Sequence, residues 1–388
     1  MIIHKMDNKG RGITYHNNKI VFVNNALVDE DVEINLILDK SKYSVANVSN
    51  YNKLSEKRVN SKCPYYGICG GCQLQHMSYE EQIKYKISYL NDIFQPLNIP
   101  ISKIITSKQF NYRDKITLKF NNGIGFYKIN SNDLINIEKC DIADKVINDK
   151  IKYLKSLNLN NGDEVIIKSF NNKSMLVINS KKNIDLHQIM PHFDTIYLNN
   201  KLISGNRIIA TIGDIKYFVA PNAFFQVNME ITEKMFDYIK SICQEYDAKN
   251  VLDLYCGCGS ISLFIADIVN TVYGIELNQS STRDAQDNKK LNNIDNVNFR
   301  CDTTDNINIK NQIDTLIVDP PRSGLSKKVK DKIISSKVKN IIYVSCDPIT
   351  LKRDLLNLKE KYQIQSIYAF DMFPNTYHVE CVSLLIRK

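Results

Sequence analysis

Short runs in which polar and apolar residues alternate fill the first 57 residues of the chain. The Asn-Asn pairs at 17–18 and 24–25 supply turn signals between these runs. About five short strands in so small a segment indicate an OB-like β-barrel, which we predict over residues 1–57. Barrels of this kind often bind nucleic acid, and an accessory β-domain without a ligand is the alternative.

The pattern of apolar positions changes after the predicted barrel. Residues 79–95 have helical spacing, and Pro96 ends the helix. From about residue 101 to residue 220 strand-like segments dominate. The sequence therefore predicts a second, β-rich domain over residues 58–228.

From residue 229 onward, helical patterns alternate with short apolar strand patterns. The predicted helices cover residues 229–245, 260–268, 280–292, 326–336 and 348–359. This alternation is typical of a doubly wound α/β domain with a largely parallel sheet. The predicted fold class is multidomain α/β, with a Rossmann-like C-terminal domain over residues 229–388.

Composition and charge indicate the class of partner, the cellular compartment and the use of the cysteines. Lys and Arg number 51 against 42 Asp and Glu, and the net charge of +9 suits a polyanionic partner without requiring one. No apolar run is long enough to span a membrane, and the N-terminal residues lack a secretory core, so we expect a cytoplasmic protein. The ten cysteines then favour metal binding or catalysis over disulfides. No obligate protein partner is evident, and we expect a monomer.

A Gly-rich loop, CGCGS over residues 256–260, follows the predicted strand 251–255. Glycines at a strand's carboxyl end let the backbone approach a ligand closely, but Ser262 stands where a dinucleotide fingerprint has its third glycine. Glu276 ends the next strand, where it could accept hydrogen bonds from both ribose hydroxyls, and Asp302 follows the strand after that. The series suits S-adenosylmethionine better than NAD; a tight packing turn is the alternative.

Cys346 ends another predicted strand, directly before a helix that begins at Pro348. Free amides at that helix start would lower the pKa of the thiol and favour the thiolate. Glu380 begins a late strand, and Asp319 and Arg322 in VDPPRSG could orient a pyrimidine or a cofactor. Taken singly, Cys346 would be a buried inert thiol, Glu380 a surface carboxylate and Arg322 part of a structural ion pair.

Together, a strand-end cysteine and a late carboxylate suit methyl transfer to carbon 5 of uracil. That carbon is a poor nucleophile, and addition of a thiolate to carbon 6 converts the ring into an enolate that can attack an electrophilic methyl group. Carbon 5 still carries a proton afterwards, so a base must remove it before the cysteine can leave.

A cysteine cluster precedes the predicted helix 79–95. Cys63, Cys69 and Cys72 share one Gly-rich loop, and Cys140 lies in the distant segment IEKCDI. Three clustered thiols and a distant fourth suit an iron–sulfur cluster. Zinc is the main alternative, although Cys₄ zinc sites usually pair two CxxC units.

Eight motifs together resemble those of a known family, in family order and over nearly the whole chain. They are CPYYGICGGCQLQHMSYEEQ, GFYKINS, IEKCDI, FFQVN, DLYCGCGSISL, VDPPRSGL, VSCDPITLKRDL and DMFPNTYHVE. The chain resembles the RNA 5-methyluridine methyltransferases, in particular the iron–sulfur type that acts on 23S ribosomal RNA.

The resemblance implies a role for each candidate residue. Cys346 would be the nucleophile and Glu380 the proton acceptor. The residues that line the site of the methyl donor, S-adenosylmethionine, would be Gln226, Tyr255, Ser260, Glu276, Asp302 and Asp319. The four cysteines of the cluster would hold a 4Fe–4S centre, and residues 1–57 would form a TRAM-type RNA-binding barrel.

Two positions depart from the family pattern. Asp114 stands where relatives often have Asn, which bears on RNA contacts, and Ser260 also occupies a position that often holds Asn. The function expected from the resemblance is methylation of a uridine in 23S rRNA, with the T-loop of tRNA as the alternative substrate. The simplest tRNA relatives resemble only the catalytic part, without the N-terminal barrel or the cluster, so the presence of both favours rRNA. A non-catalytic RNA-binding protein or a redox iron–sulfur protein would leave Cys346 and Glu380 idle.

Overall fold

The computed structural model describes all 388 residues, and its first unit is a five-stranded sheet. The strands are β1 (Lys5–Met6), β2 (Gly12–His16), β3 (Lys19–Asn24), β4 (Asp31–Asp39) and β5 (Tyr43–Lys53). Their order is β1-β2-β3-β5-β4, and an antiparallel bridge joins Ile2 to Asp31. The start of β4, the last strand in this order, therefore lies beside the residues just before β1. The sheet surrounds a small apolar core that includes Val21 and Val32.

Helix α1 (Tyr79–Phe94) and the short strand β6 (Ile104–Ile105) precede a seven-stranded central sheet. Its strands are β7 (Lys115–Phe120), β8 (Ile124–Tyr127), β9 (Leu134–Asn136), β10 (Glu164–Phe170), β11 (Lys173–Asn179), β12 (Thr195–Leu198) and β13 (Lys201–Gly205). The order is β13-β12-β11-β10-β7-β8-β9. Helix α2 (Lys145–Ile151) packs on this sheet, and its first turn is capped by the Asp144 carboxylate, which accepts from the Val146 amide. The hairpin β14 (Ile208–Ile212) and β15 (Ile215–Val219) forms a separate pair.

The remaining elements alternate as the sequence predicts. The helices are α3 (Met229–Glu245), α4 (Ser260–Phe264), α5 (Gln279–Leu291), α6 (Lys327–Ser335) and α7 (Pro348–Leu358). The strands are β16 (Asn250–Leu254), β17 (Thr271–Glu276), β18 (Val297–Cys301), β19 (Thr315–Val318), β20 (Asn340–Ser345), β21 (Tyr362–Phe370) and β22 (Glu380–Arg387). The predicted helix 260–268 is instead α4 followed by a separate 3₁₀ turn, Ala266–Ile268.

These strands form one eight-stranded sheet in the order β18-β17-β16-β19-β20-β22-β21-β6. Neighbours from β18 to β20 are parallel, whereas β22 runs antiparallel to both β20 and β21. The largely parallel, doubly wound sheet predicted from residue 229 is confirmed. Its parallel strands direct their carboxyl ends, and the loops that follow them, to one edge.

Residues 79–105, which the sequence places in the central domain, pack on the C-terminal sheet instead. Leu90 and Phe94 of α1 are fully buried in the apolar core that also holds Leu355 of α7. Strand β6 pairs in parallel with β21 at the sheet edge. The same helix reaches the N-terminal sheet, because the Tyr85 hydroxyl donates to the carbonyl of Asp7 at 2.7 Å. Crossing a bilayer would need a longer and more apolar helix than any in this structure.

Candidate active site

The loops that follow β16 to β20 bring most of the predicted site residues to one edge of the C-terminal sheet. Tyr255 follows β16, Glu276 ends β17 and Asp302 follows β18. Asp319 follows β19 and Cys346 follows β20. Neighbouring parallel strands end side by side. The Gly-rich loop, Glu276 and Asp302 therefore lie next to Asp319 and Cys346.

The Gly-rich loop takes a backbone course that side chains would obstruct. Gly259 has φ +79°, and a Cβ there would lie 2.4 Å from the ring of Phe299. Gly257 has φ +56°, but a Cβ there would meet no atom within 4 Å. The backbone at Gly257 is therefore open on the side where a ligand would approach. Its amide donates to Glu276 Oε2 at 3.0 Å, so the acid at the end of β17 also fixes the loop.

Glu276 and Asp302 are connected through the backbone. The amide of Asp302 donates to the Glu276 carbonyl at 3.0 Å, and Glu276 Oε1 accepts from the Asn278 amide at 2.7 Å. Both carboxylates are partly exposed at the sheet edge. Such a pair of partly solvated acids can accept hydrogen bonds from ribose hydroxyls and from an adenine edge.

Asp253 is a site residue to which the sequence analysis assigned no role. It is fully buried at the end of β16, where its Oδ2 accepts from the Ser262 hydroxyl at 2.6 Å and its Oδ1 has no partner. Burial raises the pKa of this carboxyl to about 7. Its signal in the sequence is an acidic residue within an otherwise apolar strand, NVLDL.

Of the other predicted donor-site residues, Tyr255 and Ser260 flank the Gly-rich loop, and Gln226 lies in a different loop. Tyr255 adopts φ +64° directly before the glycines, and the backbone carbonyl of Ser260 accepts from the Tyr217 hydroxyl at 2.8 Å. Gln226 lies in the loop before α3, which is held by Asn228. The side-chain amide of Asn228 donates to the Met372 carbonyl at 3.2 Å, so the Gln226 loop is joined to the segment that leads to Glu380.

Four ionisable groups influence one another around Cys346. Burial, and to a smaller extent the charges of Glu380 and Asp319, raise the pKa of the Cys346 thiol to about 11 against the opposing effect of Arg322. Burial also raises the pKa of Glu380 well above its usual range, with a smaller contribution from Asp319, and Arg322 again opposes the shift. Burial raises the pKa of Asp319 to about 7. Glu380 is only 6% exposed, which excludes a surface carboxylate.

The expectation that the helix start lowers the pKa of Cys346 is wrong. The amides of Ile349 and Thr350 at the start of α7 both donate to Asp347 Oδ1, at 3.0 Å and 2.9 Å. The carboxylate of Asp347 therefore caps the helix and satisfies the amides that would otherwise favour the thiolate. Without that help, desolvation dominates and Cys346 holds its proton in the free protein.

Helix α7 also positions the loop that carries Arg322. Thr350 donates through Oγ1 to the Arg322 carbonyl at 3.1 Å, and Arg353 Nη2 donates to the Ser323 carbonyl at 2.8 Å. Asp354 accepts from the Leu325 amide at 2.8 Å. One helix therefore fixes both the backbone after Cys346 and the loop of the exposed Arg322 guanidinium, which has no carboxylate ion-pair partner within 4.0 Å.

The four cysteines of the predicted cluster are Cys63, Cys69, Cys72 and Cys140. Each thiol is free, and burial raises the pKa of Cys72 to about 12, with added contributions from Cys140, Cys69 and Cys63. The distant Cys140 is thus close enough to act electrostatically on the loop thiols. No three metal-ligating side chains approach as a single ion would require.

Known proteins share the whole architecture. A family model described as tRNA (Uracil-5-)-methyltransferase matches residues 180–388. An uncharacterized RNA methyltransferase from Staphylococcus aureus (strain COL) is 31% identical over 99% of this chain and 96% of its own length. One from Aquifex aeolicus (strain VF5) is 32% identical over 100% of this chain and 98% of its own.

A solved structure matches from end to end as well. The tRNA (uracil-54, C5)-methyltransferase of Pyrococcus abyssi, crystallised with S-adenosyl-L-homocysteine, superposes with a TM-score of 0.83 at 25% identity and full coverage of both chains. The ligand of that structure is the product form of S-adenosylmethionine. The chain thus belongs to the tRNA (uracil-5-)-methyltransferase family, and it is an S-adenosylmethionine-dependent RNA methyltransferase.

Proposed function

We propose that the protein methylates carbon 5 of a uridine through a covalent adduct with Cys346. The observation that carries this proposal is the set of Cys346, Glu380 and Arg322 at the edge of the sheet, where Glu380 raises and Arg322 lowers the pKa of Cys346. In the proposed mechanism the Cys346 thiolate adds to carbon 6 of uracil, and the ring electrons move to carbon 5 as an enolate. Glu380 later takes the proton of carbon 5, which re-forms the double bond and expels the thiolate.

S-adenosylmethionine supplies the electrophilic methyl group when it is bound. The open backbone at Gly257 and the carboxylates of Glu276 and Asp302 support its placement along the loops after β16, β17 and β18. Gln226, Tyr255, Ser260 and Asp319 would complete the lining of this site. Asp319 lies between the donor loops and the thiol, so it would contact both parts of the reaction.

The proposed mechanism requires Cys346 and Glu380 each to lose a proton. Burial raises the pKa of both groups and so favours their protonated forms, whereas the reaction needs the first as a thiolate and the second as a carboxylate. Arg322 lowers the pKa of both groups. We therefore assign to Arg322 the role of favouring the two ionised forms, beyond orienting the pyrimidine.

The adduct is tested with RNA that contains 5-fluorouridine, since fluorine at carbon 5 blocks the final elimination. Enzyme, this RNA and S-adenosylmethionine should form an adduct that survives denaturation, and Cys346→Ala should form none. Glu380→Gln should accumulate the adduct on ordinary uridine, because only the later proton removal is impaired. Cys301→Ala, which removes an exposed thiol, is the control. Methylation by Cys346→Ala would refute the proposal.

We further propose that Cys63, Cys69, Cys72 and Cys140 hold a 4Fe–4S cluster. Three thiols on one Gly-rich loop with a distant fourth suit a cluster better than zinc, because Cys₄ zinc sites usually pair two CxxC units, and Cys140 contributes to the raised pKa of Cys72. Three of the five buried polar atoms without partners also lie near these cysteines in the sequence: Gln73 Oε1, His76 Nε2 and Asp141 Oδ2. The donor set fits the cluster by its chemistry, and its role would be structural.

For the substrate, we propose 23S rRNA, on the resemblance to the iron–sulfur type. We also assign TRAM-type RNA binding to the N-terminal barrel. The strand order β1-β2-β3-β5-β4 and the bridge between Ile2 and Asp31 support an OB-like barrel. The T-loop uridine of tRNA is a second candidate, because a tRNA enzyme shares the complete architecture. The presence of the N-terminal domain therefore does not by itself favour rRNA.

A comparison of methyl incorporation decides between the two substrates. Protein-free 23S rRNA and tRNA, both from a strain that lacks this enzyme, are labelled in parallel with the methyl group of S-adenosylmethionine. Label in 23S rRNA alone supports the first candidate. Label in tRNA with none in 23S rRNA replaces it with the second, and leaves the adduct mechanism intact.

A further inference from the structure

The loop that joins β21 to β22 decides where the carboxyl group of Glu380 lies. It covers residues 371–379, and Glu380 is the first residue of β22, paired with Phe370 at the end of β21. The loop begins with a buried ion pair between Asp371 and Lys86 of α1, at 2.6 Å. Its course is therefore constrained from the first residue by a helix distant in sequence.

Successive carbonyls of this loop accept hydrogen bonds from separate parts of the chain. The donors are the Asn228 side chain to Met372 (3.2 Å), Lys86 Nζ to Phe373 (3.3 Å), the Tyr112 hydroxyl to Pro374 (2.9 Å), and the amides of Gln73 and Leu74 to Asn375 (both 3.0 Å). The last pair comes directly after Cys72. The cysteine loop, α1, the central domain and the start of α3 thus meet at this one loop.

Asn375 is the centre of the arrangement, and it is fully buried. Its amide donates to Gln82 Oε1 at 2.9 Å, and its Oδ1 accepts from Gln82 at 3.1 Å and from Gln109 at 2.8 Å. Its Nδ2 donates to the Gln109 carbonyl at 2.8 Å. Every polar atom of Asn375 is satisfied, and its φ of +67° is one that asparagine adopts more readily than most residues.

We propose that Asn375 is a positioning residue for Glu380, and that it makes the placement of this carboxyl depend on α1 and on the cysteine loop. The inference rests on the proposed role of Glu380 as the acceptor of the carbon 5 proton. It predicts which step fails when the contacts of Asn375 are lost. Addition of Cys346 and methyl transfer precede the action of Glu380, so they proceed, whereas elimination slows.

Asn375→Gly is the variant that tests this role. Glycine adopts the left-handed φ without strain, keeps the carbonyl that accepts from Gln73 and Leu74, and removes the side-chain bonds. Gln82→Met removes the same contacts from the side of α1 and leaves residue 375 unchanged. Asn296→Ala is the control. The Asn296 side chain also donates hydrogen bonds to two backbone carbonyls, those of Ala266 and Val269, but it lies before β18, the edge strand farthest from β21.

The readouts are kcat, the KM for S-adenosylmethionine, and the amount of denaturation-resistant adduct on ordinary uridine RNA. Asn375→Gly and Gln82→Met should lower kcat roughly tenfold to hundredfold, as expected when a reacting group is displaced by about 1 Å. Both should accumulate adduct, with the KM for S-adenosylmethionine changed by less than about twofold. Asn296→Ala should match the unmodified enzyme.

Three results would overturn the proposal, and they differ in what else they affect. Normal turnover in both variants, or slow turnover without adduct while Glu380→Gln does accumulate it, rejects the role of Asn375 alone. Absence of adduct in Glu380→Gln itself rejects the assignment of the base, and with it this inference. Loss of folding in Asn375→Gly leaves the decision to Gln82→Met.

Discussion

At the residue scale, the nucleophile is controlled by its neighbours rather than by its place before a helix. Asp347 takes the helix amides, burial and then the charges of Glu380 and Asp319 raise the pKa of Cys346, and Arg322 lowers it. The free enzyme is consequently protected from oxidants and alkylating agents at neutral pH, because these react with the thiolate. Substrate binding must change this balance before addition to uracil.

This balance predicts how fast Cys346 is alkylated. Since its pKa is raised to about 11, the thiolate fraction and the rate should climb as the pH rises from 7 toward that value. At pH 9, Arg322→Met should slow alkylation, because it removes the charge that lowers the pKa, and Asp319→Asn should speed it. Mass spectrometry of the Cys346 peptide measures the rate, with the exposed Cys301 as internal reference. A rate independent of pH above 7 would contradict the pKa.

At the scale of elements, Asp114 shows how one carboxyl joins the central domain to α3. Its amide donates to the Val227 carbonyl at 2.8 Å, and its Oδ2 accepts from the Met229 amide at 3.2 Å. Burial raises the pKa of this carboxyl to about 7. The residue that departs from the family's usual Asn therefore serves an internal contact, next to the loop that carries Gln226.

Asp114→Asn should stabilise the protein at alkaline pH. The folded pKa of Asp114 lies above its ordinary value, so the folded state holds a proton that the unfolded state releases, and this contribution to stability is lost as the pH rises toward about 7. Asparagine keeps an acceptor for Met229 and carries no charge. The gain at pH 8 should be on the order of 1 kcal/mol and should vanish near pH 4. Denaturant unfolding at the two pH values measures it; a larger gain at pH 4 would contradict the sign.

The cysteine loop gives a second prediction at this scale. Anaerobically purified protein should be brown and contain about four irons per chain, as a Cys₄-bound cubane requires. Cys140→Ala should strip the iron and lower the melting temperature, because metal binding and folding are coupled. Cys301→Ala should retain the iron. Stoichiometric zinc without sulfide would show that the thiols hold a different metal.

How much of these elements the sequence could predict depends on the range of the signal. The alternation from residue 229 and the helix at residues 79–95 follow from local periodicity, and both are confirmed. Strand β6 has two residues, too few for any period, and its pairing with β21 spans more than half of the chain. Asp347 and the Cys346 thiol compete for the same amides at the start of α7. Only the three-dimensional structure reveals that Asp347 binds them.

At the scale of the whole molecule, α1 connects the N-terminal sheet to the catalytic sheet. It bonds Asp7 through Tyr85, and it buries Leu90 and Phe94 against the core under α7. The N-terminal sheet exposes a further surface at its β4–β5 turn, where Lys40 and Lys42 lie beside exposed apolar residues that include Leu38 and Tyr43. A basic surface with apolar neighbours suits single-stranded RNA, whose bases stack while its phosphates meet lysine.

The β4–β5 turn should therefore contribute to RNA affinity. Reversing both charges, Lys40→Glu with Lys42→Glu, should weaken RNA binding and reduce its salt dependence by roughly one to two phosphate contacts. Affinity for S-adenosylmethionine should not change, since its proposed site lies in the other domain. Lys337→Glu is the control. Lys337 is exposed and precedes β20, at the amino ends of the parallel strands of the catalytic sheet. Titrations at several salt concentrations measure the slope; equal slopes in the two variants would exclude the turn from the interface.

The loop before Glu380 also has a consequence for the order in which the enzyme matures during synthesis. The donors from outside the loop to its carbonyls lie between residues 73 and 228, so the ribosome has made them long before residues 372–375 emerge. A nascent chain that already contains Cys346 still lacks the proton acceptor. Because Glu380 opens β22, which lies between β20 and β21, the proton acceptor and the completed catalytic sheet arise together. We therefore expect this loop to dock last, onto parts of the chain that are made before it.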